Sequence, residues 1–448
     1  MTNCDVVVIG LGPGGEATAT ALAKAGLDVV GVDERLVGGE CPYYGCVPSK
    51  MMIRASDALA ESRRIPGLAG TAEVRPDFAP VHARIRDEAT DDWDDQVAVD
   101  RLVEAGVRFV RGHARLAGER AVEVDGERFE ASRGVVLDPG TSPSAPPIDG
   151  LADTPYWTNR DILRTETLPA SLVVIGGGAI GAELAQSMAR FGVRTTLLEV
   201  ADRILAPEEP ESSALLADVF AREGIQVLTG AQISRVSYAD GRFTVEVDGQ
   251  QIDSEKLLVA AGRRPNLDDL GLETVGLDPA ARRLEVDEHM RAGEGLWAIG
   301  DVVGKGAFTH MSMYQSAICV RDLLDQDGPA ADYRAVPHVT FTDPEVGSVG
   351  LTEQQARDAG LDVRVGHTDL ATSSRGWIAQ AEGLVKLVED ADRGVLVGAT
   401  AVGPSGGEML SMLTTAVHAE VPTDTLRSMI YTYPTFHRAV EDALKALG

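Results

Sequence analysis

The chain has 448 residues, 44% hydrophobic and 25% charged, which is enough for two or three packed domains and too apolar for a disordered polymer. Its 69 acidic against 41 basic residues leave a net charge of -28 and a pI near 4.6, which repels nucleic-acid phosphates and anionic lipid heads, so neither nucleic acid nor membrane is expected as a partner. The apolar run Asp5 to Ile9 is far too short to span a bilayer, no basic leader accompanies it, and a cytoplasmic location is expected.

The first elements form a βαβ unit. The run Asp5 to Ile9 leads into a GxGxxG carried by Gly10, Gly12 and Gly15, with Gly14 beside them, and an Ala-rich helical stretch then ends near Gly26. A second strand-like run, Asp28 to Val32, ends in Asp33. Small residues let the backbone approach a pyrophosphate, the helix start offers free N–H groups, and the terminal acid accepts from ribose hydroxyls.

Next comes Cys41-Pro-Tyr-Tyr-Gly-Cys46, followed by Lys50. Five positions apart on an ideal helix two thiols diverge by about 140°, so a bond between them needs a distorted turn, which Pro42 and Gly45 are suited to supply. A thiol at a helix start is acidified by the local dipole. Redox chemistry is preferred over a zinc half-site, because no second cysteine pair or histidine cluster completes four ligands, and no metal is expected. Cys4 and Cys319 are read as buried, inert thiols. Helical patterns are expected around Met51 to Arg64 and Ala79 to Gly106.

The nucleotide-binding pattern then recurs. Leu172 to Ile175 precedes Gly176, Gly178, Ala179, Ile180 and Gly181, a helical run reaches about Phe191, and Arg194 to Leu198 ends in Glu199. In both copies the acid stands the same distance past the last glycine, Gly15 to Asp33 and Gly181 to Glu199. Two copies imply two dinucleotides. Glu199 welcomes a free 2'-hydroxyl and repels a 2'-phosphate, favouring NADH over NADPH; Arg194 and Arg203 lie near enough in sequence to offset part of that penalty, but a solvated surface role is the commoner fate of such residues.

Together with the paired glycine loops and the CxxxxC, Ala260 to Asn266, Ala298 to Val302 and Val336 to Thr352 make nearly the whole chain resemble the flavoprotein disulfide reductases, the family of glutathione reductase, dihydrolipoamide dehydrogenase and mercuric reductase. The resemblance implies an α/β fold with two Rossmann-like dinucleotide-binding domains plus an α+β C-terminal dimerisation domain. FAD-binding segments are expected at 1–150 and 267–329, an NAD(P)-binding domain at 151–266 and an interface domain at 330–448. It implies FAD on the first unit, the nicotinamide nucleotide on the second, a homodimer, and a Cys41–Cys46 disulfide whose Cys46 faces the flavin while Cys41 exchanges with a small-molecule acceptor. It pairs Lys50 with Glu183 near the flavin and adds Glu34, Gly39, Ala114, Gly140, Gly262, Arg263, Gly300, Asp301 and Thr309 to the cofactor contacts.

Three departures stand out. Disulfide-reducing relatives carry a C-terminal HPTxxE, where this chain has Tyr433-Pro-Thr-Phe-His437-Arg438. A phenol is a poor base at neutral pH but can donate a hydrogen bond; His437 stands next to the place where a base would be wanted, yet a neighbouring residue points its side chain elsewhere, so a structural or surface role competes with chemistry there. Tyr43-Tyr44 replaces the usual Asn-Val, and Asp138-Pro139-Gly140 replaces the usual ATG. The leading expectation is NADH-dependent reduction of a small disulfide or related sulfur species. The alternatives are direct flavin reduction of quinones, dyes or metal ions, and a complex-bound flavoprotein with little turnover.

Overall fold

A computed structural model describes residues 1–448. Residues 1–51, 80–144 and 262–333 form one compact unit, and residues 52–79, 145–261 and 334–448 a second.

The first unit is built on a sheet whose strands run in the order Arg291–Gly293, Leu296–Ala298, Glu127–Leu137, β1 (Thr2–Ile9), β2 (Val29–Asp33) and Arg108–Arg111. β1 is parallel to both neighbours, with Ile9 beside Val32 and Leu137. Val6, Val7 and Val8 are fully buried, as a parallel strand covered on both faces requires. Helix α1 (Pro13–Lys24) follows β1; its N-cap is Gly12 and Pro13 occupies the first turn, where a missing N–H costs nothing. It packs along the helix Thr309–Leu323, with the Thr18 and Ser316 hydroxyls 2.7 Å apart.

Two helical expectations shift. The helix at Met51 begins earlier, as α3 (Cys46–Leu68), after the short α2 (Glu40–Tyr44). The stretch Ala79 to Gly106 is not one helix. It breaks into Ala79–Arg84, a π-helical turn at Ile85–Ala89 and a helix at Gln96–Glu104. The break is chemical: the Thr90 hydroxyl donates back to the Ile85 and Arg86 carbonyls, and Asp91, Asp92 and Trp93 all take positive φ.

The second unit contains a parallel sheet ordered Gln226–Leu228, Arg194–Leu198, Ser171–Ile175, Lys256–Val259, with the helix Ala179–Arg190 after its central strand. A three-stranded antiparallel sheet covers Ile233–Ala239, Arg242–Val247 and Gln250–Ser254. The C-terminal segment forms a five-stranded antiparallel sheet with the helix Gly406–His418 packed on it. Buried Lys386 in that sheet meets Glu209, Glu211 and Glu353 at 2.8 to 2.9 Å. Burial would push its ammonium pKa down, but the three carboxylates outweigh burial and hold it above the usual lysine range. Arg190, also buried, is held by Asp57, Glu223 and Asp343. Removing the cation of either cluster would leave its carboxylates facing one another without a compensating charge.

Candidate active site

The two glycine loops are built by the same bonds. Gly10 and Gly176 have φ of +88° and +110°, and each donates its N–H to the last apolar residue of the neighbouring strand, Val32 and Leu198. The acids repeat one pattern. Asp33 accepts the N–H of Leu11 at 2.8 Å and of Arg35 at 2.7 Å; Glu199 accepts that of Gly177 at 2.5 Å and of Ala201 at 2.8 Å. In each copy these are the residue after the first glycine and the residue two past the acid. The sequence assigned the acids to ribose alone; the structure adds the task of fixing each loop, and a carboxylate retains further lone pairs for a ligand. Burial raises the Asp33 pKa against the lowering effect of those two N–H groups.

The loops form cradles. A Cβ at Gly15 or Gly181 would lie 1.9 Å from the carbonyl oxygen of Gly10 or Gly176, so each helix seats directly on its loop. A Cβ at Gly178 would meet nothing within 4 Å, and at Gly12 only an Asp138 oxygen at 3.7 Å, which leaves the outer surface of each loop open to a pyrophosphate. Gly39 closes over Gly12, its Cβ position 3.0 Å from the Gly12 Cα. In the second loop Ala179 and Ile180 are exposed at the first helical turn.

Neither arginine is ion-paired with Glu199. Arg194 opens the strand that ends at Leu198, about 16 Å of extended chain from Glu199. Arg203 donates to the Ala206 carbonyl at 2.7 Å and faces Asp202 at 3.4 Å. Glu199 therefore stands without a cation committed to a 2'-phosphate from either residue.

Between the first loop and α3 the cysteines are brought together. α2 ends at Tyr44, Gly45 breaks the helix with φ of -133° and ψ of -116°, and Cys46 opens α3. Both thiols are free and share a hydrogen bond. That bond from Cys41 is the largest influence holding the Cys46 pKa down at about 5; burial opposes it, and Thr309 and the Lys50 charge assist. The Thr309 hydroxyl lies 3.3 Å from the Cys46 sulfur. The shared bond and burial push Cys41 the other way, far above the usual thiol range. The two thiols are thus driven apart, Cys46 towards the thiolate and Cys41 towards the thiol. Replacing Thr309 by valine removes a donor to the thiolate and is expected to raise the Cys46 pKa by about one unit. The pH dependence of alkylation of the reduced protein, mapped by mass spectrometry, reads this directly, and an unmoved profile would show that the hydroxyl is idle.

Tyr43 is buried between the cysteines, and its carbonyl accepts the Trp93 indole N–H at 3.2 Å. The positive-φ turn that interrupts the helical stretch is what delivers Trp93 there. Burial, with Asp95 and Glu16 nearby, pushes the Tyr43 phenol up to about 12.

Around the first loop, Thr141 links two of the expected residues. Its hydroxyl donates to Asp301 at 2.5 Å and accepts from Arg263 at 2.7 Å, while Arg263 also faces Glu40 at 3.5 Å. Thr141 and Glu40 were not singled out by sequence. Gly140 and Gly262, at φ of +64° and +129°, have no atom within 4 Å of a built Cβ, and Gly300 carries φ of +77°. Glu34 pairs with His113 at 3.4 Å. The Ala114 methyl lies in the hydrophobic core, so that side chain is not available to a cofactor. Cys4 and Cys319 are buried, and burial raises both thiols.

Lys50 lies on α3 in the first unit, with its ammonium 3.3 Å from the Ser49 hydroxyl. Glu183 is buried in the second unit, where its carboxylate accepts the Phe341 N–H at 2.8 Å. Tyr433 is 64% exposed, donates to the Ser374 hydroxyl at 3.2 Å and carries the Arg438 guanidinium over its ring at 5.4 Å. His437 does not replace the missing imidazole by reaching Tyr433. Its ring tilts against Tyr431 and its Nδ1 is 3.1 Å from the Thr435 hydroxyl.

Residues 4–317 match the profile of the pyridine nucleotide-disulphide oxidoreductases. The chain belongs to that family. Residues 336–444 match the dimerisation domain of these oxidoreductases, which supports a homodimer. A dihydrolipoyl dehydrogenase of Halobacterium salinarum is 35% identical, over 100% of this chain and 97% of its own length. A mercuric reductase of Streptomyces lividans is 34% identical, over 98% and 95%. The HOCl-induced flavoprotein disulfide reductase RclA from Escherichia coli, solved as a Cu(II) complex, superposes with a TM-score of 0.88 at 26% identity, covering 99% of each chain. As a pyridine nucleotide-disulphide oxidoreductase, the chain is an NAD(P)H-dependent FAD enzyme of mixed α/β architecture that uses NAD(H). The paired open cradles fit both dinucleotides. No helix is long and apolar enough to cross a membrane.

Proposed function

We propose that this oxidoreductase takes electrons from NADH and delivers them, through the Cys41–Cys46 pair, to a small disulfide or related sulfur acceptor in the cytoplasm. The observation that carries the reading is geometric: the break at Gly45 separates the short helix holding Cys41 from the one that Cys46 opens, with the Thr309 hydroxyl 3.3 Å from the Cys46 sulfur, and the directions of the two thiol pKa shifts agree with it. When bound, FAD supplies the two-electron relay between a nicotinamide and a disulfide. The first glycine loop, with Asp33, Gly39, Thr141, Arg263 and Asp301 around it, would hold FAD; the second, with Glu199, would hold the nicotinamide nucleotide. In this reading 1–150 and 267–329 serve FAD, 151–266 serves NAD(H), and 330–448 serves dimerisation.

The residues divide the work. Cys41, having lost its proton to solvent, attacks the acceptor sulfur and expels the first thiolate; Cys46 then attacks the mixed disulfide, forming the Cys41–Cys46 bond and expelling the second, and both thiolates take protons from solvent. Lys50 favours negative charge at Cys46.

A second reading has a specific observation behind it. With Tyr433 and Arg438 where a histidine and a carboxylate serve disulfide-reducing relatives, the usual proton shuttle for the exchanging and leaving thiols is missing, which favours acceptors that release no thiolate, including quinones and metal ions. The test is anaerobic reduction with one equivalent of NADH followed by alkylation. The first reading expects two new alkylated thiols per chain, Cys41 and Cys46, and their loss once a small disulfide is added. Thiols that persist beside the disulfide and are consumed only by quinone or metal ion would overturn it in favour of the second.

A further inference from the structure

The two glycine loops differ at one buried position. Asp138 and Ala260 are equivalent: each follows the strand flanking its loop, and each donates its N–H to the residue before the first glycine, Ile9 and Ile175, at 2.8 Å. In the second loop that position carries a methyl. In the first it carries a fully buried carboxyl whose Oδ2 accepts the Gly15 N–H at 2.7 Å. Its Oδ1 lies 2.2 Å from where a Gly300 Cβ would stand, so only glycine there admits it. Gly15 is in the first turn of α1, among the few N–H groups a helix start has free, and Pro13 in the same turn has none. Asp138 thus occupies a donor in the loop assigned above to the FAD pyrophosphate.

We infer that Asp138 is a positioning residue that binds FAD as the neutral acid, so that loss of its proton loosens FAD from the first loop. This rests on the assignment of that loop to FAD. The charged groups bearing on Asp138 are Asp301 and Asp33, both carboxylates, with the buried Cys319 thiol adding no positive charge. Burial first, then those two carboxylates, raise its pKa well above the usual range, against the single Gly15 N–H. A protonated carboxyl still accepts that N–H and adds no charge beside the pyrophosphate. Once the proton leaves to solvent, an anion stands behind the negatively charged pyrophosphate in a low-dielectric site. The sign follows: with a raised pKa, FAD retention is complete at low pH and falls as pH rises through it.

The test uses holoenzyme. FAD release is followed by the fluorescence of free flavin from about pH 5 to about pH 9, with far-UV circular dichroism recorded at each point. Wild-type protein is expected to release FAD about tenfold faster or more at the alkaline end. Asp138→Asn, which keeps the acceptor and removes the proton, and Asp138→Ala, which copies the second loop, are expected to give flat profiles with folded protein throughout. NAD(H) affinity, set at the loop with Ala260, is the internal control and should not follow the wild-type FAD slope. A flat wild-type profile, or an Asp138→Asn slope equal to wild type, overturns the inference. If Asp138→Asn instead alters NAD(H) binding and leaves FAD release untouched, it is the assignment of the loops that fails.

Discussion

Cys41→Ser is expected to abolish NADH-dependent reduction of small disulfides, by at least about a thousandfold in kcat/KM, while leaving reduction of an artificial dye within a few-fold of wild type. Serine keeps the shape and a hydrogen-bond donor, so the half-buried site should remain packed. What serine lacks is a nucleophile that can exchange with a sulfur–sulfur bond. Steady-state assays with both acceptors on one preparation decide the matter. Equal loss of the two activities would mean that the substitution damaged the relay itself. Retention of disulfide reduction would mean that the thiol pair is incidental, and the direct-transfer reading would then stand.

The parts of this site that were legible in the sequence are those whose chemistry is local. Each glycine loop, its helix and its acid lie within one βαβ unit, so spacing alone placed Gly10 to Asp33 and Gly176 to Glu199 together. The same holds for the cysteines, where Gly45 supplies the break that brings Cys46 back to Cys41. What spacing could not show is chemistry assembled by strand order. Thr309 reaches Cys46 across 263 positions, and Thr141 joins Asp301 across 160. Asp138 lies on Gly15 only because Glu127–Leu137 is the parallel neighbour of β1. Its signal was nonetheless present, as the departure from ATG at 138–140. The broken helix after Ala79 was hidden for another reason: its apolar pattern continues, while the Thr90 hydroxyl and three positive-φ residues redirect the backbone. Proximity in sequence is no guide to proximity in space where a strand intervenes, since Arg194 stands exposed at the far end of its strand from Glu199.

Glu199 sets the second large effect. Its carboxylate is held in place by the Gly177 and Ala201 N–H groups, and Arg203 is committed to the Ala206 carbonyl, so a 2'-phosphate arriving at this strand end meets a fixed negative charge. Two like charges about 4 Å apart cost roughly 1 kcal/mol in water and roughly 4 kcal/mol at an effective dielectric of 20. At about 1.4 kcal/mol per decade, Glu199→Gln should therefore raise kcat/KM for NADPH relative to NADH by between about fivefold and about a thousandfold, more at low salt. The amide keeps one acceptor for the loop but turns a donor toward the other N–H, so NADH itself should weaken by about tenfold at most. The effect belongs in KM for the nucleotide, leaving the rate with saturating NADH nearly intact, because the substitution is far in sequence and role from the thiols. Coenzyme preference measured at two ionic strengths separates charge from shape. An unchanged NADPH-to-NADH ratio in Glu199→Gln would show that this carboxylate does not read the ribose, and discrimination would then have to come from the backbone of the loop.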